Sequence, residues 1–162
     1  MKRSILLFIF CTAIFSRCEK DDFCTKDPVT PKLVLRFYDA NDRDQLKNTE
    51  RLSIWAAGKD TIPDYKSVAT DSVSIPLNTT TIETVYHLKI NAFDGNLASN
   101  QTTTFTIQYT PVEEFVSRSC GFRVIFNDVA FSPDTSTWIQ DYTPTTLTTI
   151  DNQSTAHVQI FH

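Results

Sequence analysis

Three histidines, His87, His157 and His162, are the first places to look for proton transfer or metal ligation. An alternating strand pattern turns His87 and His157 toward solvent. It also puts His157 and His162 on opposite faces, so those two cannot share an ion. Joining His87 to His157 across neighbouring strands would leave zinc short of a third ligand, and no metal site is expected. A serine nucleophile needs a histidine and an acid beside it. Ser117 and Ser119 flank Arg118 in Ser-Arg-Ser-Cys-Gly without the glycines of a nucleophile elbow, so the segment reads as sheet packing around a disulfide. Glu113 and Glu114 are adjacent and would face opposite ways on a strand, whereas the two carboxyls of a glycosidase converge on one bond. Arg36 and Asp39 read as an ion pair on an edge strand. Asp39, Asp42 and Asp44 alternate as calcium ligands could, but without the glycine and distal glutamate of the helical calcium loop they read as a solvated turn. Trp55 and Trp138 could stack on sugars, and burial is the property that decides. No catalytic residue and no cofactor is expected. The expected role is binding or envelope assembly, through a protein or glycan ligand, and the alternative from another class is a hydrolase acting on envelope or external glycans.

The chain opens with Lys2 and Arg3 and then runs apolar from Ile5 to Phe15. A run of about 11 residues has the length of a secretory signal, whereas about 20 are needed to span a bilayer. Residues 1–17 are therefore expected to be a signal peptide. Phe15-Ser16-Arg17-Cys18 resembles a bacterial lipobox, in which the cysteine becomes the acylated N-terminus; Arg17 stands where signal peptidase II prefers a small residue. Cys18 through Asp22 resembles the export signal of Bacteroidota-type lipoproteins: cysteine, any residue, Lys20, then Asp21 and Asp22. That signal is an address, while the acyl chains supply the hold at about 0.8 kcal/mol per buried methylene. The expected location is the outer membrane, lipid-anchored and facing the cell surface, with the periplasmic face as the alternative.

Of four cysteines, Cys11 would leave with the signal and Cys18 would be acylated. Cys24 and Cys120 remain, and in an oxidising compartment they are expected to pair. Closing so long a loop is worth about 4 to 5 kcal/mol on a chain-entropy model. Without Lys2, Arg3 and Arg17, the fifteen basic residues fall to twelve against nineteen acidic ones, a formal charge of −7. No basic run follows the leader, so nucleic acid is not an expected partner.

The period of the remaining chain is two. Thr104 to Tyr109 sets Phe105, Ile107 and Tyr109 against Thr104, Thr106 and Gln108, the alternation of a half-buried strand. Val85 to Ile90 behaves alike, and further runs cover Leu33 to Tyr38, Leu52 to Ala57, Val73 to Leu77, Phe122 to Phe126, Tyr142 to Ile150 and His157 to Phe161. Turn-forming clusters lie between them at Asn41-Asp42, Pro63-Asp64, Asp94-Gly95-Asn96, Asn127-Asp128, Ser132-Pro133-Asp134 and Asp151-Asn152. Thr110-Pro111-Val112-Glu113 could start a helical turn, but the alternation from Phe115 to Ser119 reads equally as strand. The expectation is an all-β protein: a tether over residues 18–31, then over residues 32–162 a single antiparallel, immunoglobulin-like β-sandwich.

Asp60-Thr61-Ile62 and Asp71-Ser72-Val73 resemble the acid, hydroxyl, aliphatic acceptor that such bacteria O-glycosylate on exported proteins, marking Thr61 and Ser72. The stretches CEKDDFC, LVLRFYD, VSRSCGFRVIF and AHVQIFH together resemble a family of small Bacteroidota lipoproteins of unknown function. That resemblance implies a lipid-linked single β-domain with Cys24 and Cys120 paired, and it implies no activity.

Overall fold

The computed structural model describes residues 24, 29–92, 95, 97–135 and 137–162. The chain divides into two compact units, residues 1–28 with 115–122, and residues 29–114 with 123–162. Among the described residues ten strands follow in order: β1 (Leu33–Tyr38), β2 (Thr49–Ala56), β3 (Val68–Thr70), β4 (Ser72–Ile75), β5 (Glu83–Ile90), β6 (Gln101–Ser117), β7 (Gly121–Pro133), β8 (Asp141–Thr143), β9 (Thr146–Ile150) and β10 (Val158–Phe161). Single 3-10 turns sit at Pro63–Tyr65 and Leu97–Ser99, and there is no α-helix among the described residues. The protein is all-β. No helix among those residues is long and apolar enough to cross a membrane.

In the larger unit, a four-stranded sheet has the order β4-β1-β10-β8 and a six-stranded sheet the order β3-β2-β5-β6-β7-β9. Inward residues of both sheets meet in one core: Leu33, Leu35 and Phe37 of β1 and Ile160 of β10 join Ile54 of β2, Leu88 of β5 and Phe105 and Ile107 of β6. Each is fully buried, and each such side chain contributes about 1.5 to 3 kcal/mol by leaving water. One pairing departs from the antiparallel expectation. β1 runs parallel to β10, from Leu35 opposite Val158 to Tyr38 opposite Phe161. With β4 on its other side, β1 is an inner strand, which corrects its reading as an edge.

The inward residues do not keep a strict period of two, and the backbone shows why. On β2 the buried set passes from Thr49 to Leu52 across Arg51, whose φ is 49°, and the register against β3 shifts at the same place. An extra residue in one strand preserves the inward face on both sides of the irregularity. On β7 the buried Phe126 is followed by Val129 across Asp128, whose φ is 51°. This left-handed residue lies within a strand, so Asn127-Asp128 is a kink rather than the expected inter-strand turn.

Other expectations shift for local reasons. The run from Tyr142 to Ile150 becomes two strands in different sheets, because Pro144 between them has no N–H to donate to a ladder. Residues 110–113 belong to β6 rather than to a helical turn. The short strand β3 has too few residues for a period to show. Buried tyrosines fasten the chain between β4 and β5: Tyr86 Oη donates to the Pro76 carbonyl and Tyr109 Oη to the Asn78 carbonyl at 2.8 Å. Burial and the neighbouring Tyr109 push the Tyr86 phenol up to about 12, so it stays a donor throughout the physiological range.

The smaller unit contains the bend joining β6 to β7. Ser117 Oγ accepts the Cys120 N–H at 3.0 Å, and Gly121, with φ 75°, takes the left-handed conformation that lets the chain reverse. Cys120 is disulfide-bonded to Cys24, with Cα atoms 4.8 Å apart.

The kink at Asp128 can be tested by urea unfolding. Asp128→Gly should leave stability unchanged or slightly raised. Asp128→Val, a β-branched residue forced to positive φ, should lower it by about 1 to 2 kcal/mol; equal midpoints for the two variants would show that the kink is dispensable.

Candidate functional site

Strand alternation puts Ile54 and Leu88 inward, so Trp55 on β2 and His87 on β5 face outward from the six-stranded sheet. Register makes them direct neighbours, Trp55 opposite His87 and His87 opposite Thr104. The Trp55 and His87 rings lie 5.3 Å apart at 34°, and His87 Nδ1 is 3.4 Å from Thr104 Oγ1. Beside them is an open groove of about 300 Å³, lined by Ser53, Trp55, Lys59, Asp60, Thr61 and Lys89. The chain after β2 returns to form its wall. Lys59 N–H donates to the Ala56 carbonyl, Ile62 N–H donates to the Ile54 carbonyl, and Thr61 bridges Trp55. The half-buried tryptophan thus offers one apolar face with two ammonium groups, a carboxylate and hydroxyls around it. Its volume lies at the lower end of the range of about 300 to 1,000 Å³ typical of small-molecule sites.

Other sequence candidates are placed as follows. Trp138 is 7% exposed, donates its indole N–H to the Leu88 carbonyl at 3.3 Å and belongs to the core, so it is not available to a sugar. Thr61 lines the groove, whereas Ser72, at the start of β4, turns its hydroxyl to the Leu35 carbonyl at 3.4 Å. Glu114 pairs with Arg123 at 2.6 Å while its neighbour Glu113 is exposed. Asp39 pairs with Lys47 at 3.6 Å rather than with Arg36, whose Nε is enclosed without a hydrogen-bond partner among the described residues. The aspartate loop is a turn closed on itself: Asp39 Oδ1 accepts the Asn41 N–H at 2.7 Å, a bond that holds its carboxyl below the usual value, and Gln45 N–H donates to the Asp42 carbonyl. Cys18, Lys20, Asp21 and Asp22 lie outside the described residues.

The histidines need a correction. His157 is half-buried rather than solvent-facing: its Nδ1 accepts the Val34 N–H at 2.9 Å, and its Nε2 lies 2.9 Å from the Asn152 carbonyl. Only a neutral ring with the proton on Nε2 satisfies both. His162 packs edge-on against Phe37 and Trp138. His87 belongs to the six-stranded sheet, and His157 precedes β10 of the other, so the two are not on neighbouring strands. Among the described residues no three histidine, cysteine or acidic side chains cluster as metal ligands.

Fold and groove together define an all-β protein with one shared core and a tryptophan-lined depression on a sheet face. The chain belongs to a family of unknown function, DUF6452, whose model matches residues 51–162. No curated protein and no solved structure matches it.

Burial holds the pKa values of His157 and His162 below the ordinary 6.5. Near that pH the unfolded chain binds more protons at these sites than the folded one. Stability is therefore full above the unfolded value and is lost as pH falls through 6.5 toward the lower folded values. The urea midpoint should drop between about pH 7.5 and 5.5, and His157→Asn, which can still accept from Val34, should flatten that slope. An unaltered slope in the variant would remove His157 as its source.

Proposed function

We propose that this protein is a non-catalytic binding module of the bacterial envelope, anchored through acylated Cys18, whose Trp55 groove takes a glycan. The observation that carries the binding reading is the tryptophan in tilted ring contact with His87 at the edge of a groove rimmed by Lys59, Asp60, Thr61 and Lys89. A sugar presents an apolar ring face and a rim of hydroxyls, and this surface complements both: the indole takes the face, while ammonium and carboxylate groups take the hydroxyls. The basic start, the apolar run and the Cys18-Glu19-Lys20-Asp21-Asp22 stretch support export to the outer membrane as a lipoprotein, with the cell surface as its destination. Two sheets packed on one core support a β-sandwich, and its immunoglobulin-like character is part of the same proposal, supported by many short, mostly antiparallel strands. Thr61 and Ser72 remain the proposed acceptors for O-linked sugar, and Thr61 is the better placed of the two because it lines an open groove.

Two measurements test this reading. Cys18→Ala should move the protein from the membrane to the soluble fraction, and unchanged retention would refute the anchor. On a panel of immobilised envelope and host oligosaccharides, Trp55→Ala should weaken binding at least tenfold, about 1.4 kcal/mol, with its unfolding midpoint little changed. Equal binding by variant and parent would exclude the groove.

A further inference from the structure

The bend between β6 and β7 carries the most exposed aromatic pair among the described residues. Phe115 and Phe122 are 58% and 62% exposed, and their rings meet edge-on with centroids 5.3 Å apart. Large apolar side chains left in water as a pair, rather than singly, mark a contact surface. Charge sets the same bend apart. Residues 115–122 include no acid and one arginine, the exposed Arg118, in a chain whose acidic residues outnumber its basic ones. Two rings in contact, with an exposed arginine between them in the sequence, match the headgroup layer of a bilayer, where aromatic rings lie at the boundary and a guanidinium reaches phosphate.

The covalent structure ties this bend to the start of the expected lipid-bearing segment. Cys120 lies in the bend, two residues before Phe122, and is bonded to Cys24. Cys24 follows Cys18 by six residues, which at about 3.5 Å each extend at most about 21 Å. The acyl chains and the aromatic pair are thereby kept within a short reach of each other. Once the chain is tethered, a small contact suffices, because the second binding event is intramolecular. Two rings are far too little surface for a stable pair of proteins, which buries about 1,200 Å² or more. We infer that the β6–β7 bend is a membrane-contact point, with Phe115 and Phe122 seated in the headgroup layer of the bilayer that holds the Cys18 acyl chains and Arg118 facing anionic lipid. This inference rests on the lipid-anchor reading of the preceding subsection. It adds a second point of membrane contact, within the smaller unit, to the acyl anchor.

The experiment isolates the protein from membranes of cells expressing the full chain and reconstitutes it, as processed there, into vesicles of phosphatidylethanolamine and phosphatidylglycerol carrying brominated acyl chains. Phe115→Trp and, separately, Phe122→Trp report on the bend, while Trp55 and Trp138 of the parent provide the background. The added indole should lose at least half its emission relative to the same vesicles without bromine, while the parent changes little. Intact mass of the reconstituted protein reports the anchor independently. Acylated protein whose added indoles escape quenching overturns the membrane contact and leaves the anchor standing. Mass lacking acyl chains overturns the anchor, and this inference falls with it. Escape from quenching together with concentration-dependent cross-linking through the bend would instead assign the aromatic pair to self-association.

Discussion

A single apolar core, shared by both sheets, is the constraint from which the rest of the larger unit follows. Phe37, Phe105 and Phe126 are fully buried; the last two come from the consecutive strands β6 and β7, and Phe37 comes from β1, more than sixty residues earlier. Burying them together requires the four- and six-stranded sheets to present one side each to the same space. Every second residue of a core strand is then committed inward, and its neighbours are committed outward. Irregularities at Arg51 and Asp128 keep that commitment intact where the period of two fails. A left-handed residue costs backbone energy, which the buried side chains on either side offset.

The outward face acquires its chemistry as a by-product of this inward commitment. Ile54 and Leu88 must be buried, so Trp55 and His87 cannot be, and the β2–β5 register sets one against the other. The groove is completed by a chain segment that turns back after β2 and contributes Lys59, Asp60 and Thr61. No residue in it stands out by type; proximity alone sets an indole face beside ammonium, carboxylate and hydroxyl groups. The bend between β6 and β7 follows a different logic, since β6 has no buried residue after Tyr109 and the strand ends on either side of the bend carry the exposed Phe115 and Phe122.

Polar groups enclosed by the core are largely satisfied, and this shapes the acid response. Tyr86 and Tyr109 give their hydroxyl protons to backbone carbonyls, and Trp138 does the same with its indole N–H. His157 differs because it accepts a backbone proton through Nδ1, a role that protonation abolishes. That bond joins the residue preceding β10 to β1, the strand that runs parallel to β10, so a titrating ring sits where the first and last strands meet.

The period of two was readable in Leu33 to Tyr38, Val85 to Ile90 and Thr104 to Tyr109 because alternation is a local consequence of the pleat, and an all-β chain could be inferred from it. The pairing of Cys24 with Cys120 was legible from the number of thiols together with the expectation of export. Several features were not readable, for one physical reason: they depend on which residues become neighbours through space. Partner choice made β1 an inner strand and gave Asp39 to Lys47 instead of Arg36. It buried Trp138 and left Trp55 at a groove, although the two tryptophans look alike in sequence. Sequence by itself determined strand-forming alternation, charge and the thiol inventory, all properties of single residues and near neighbours. Tertiary structure decided register, exposure and the company each side chain keeps, because those are settled only when distant strands compete for one core.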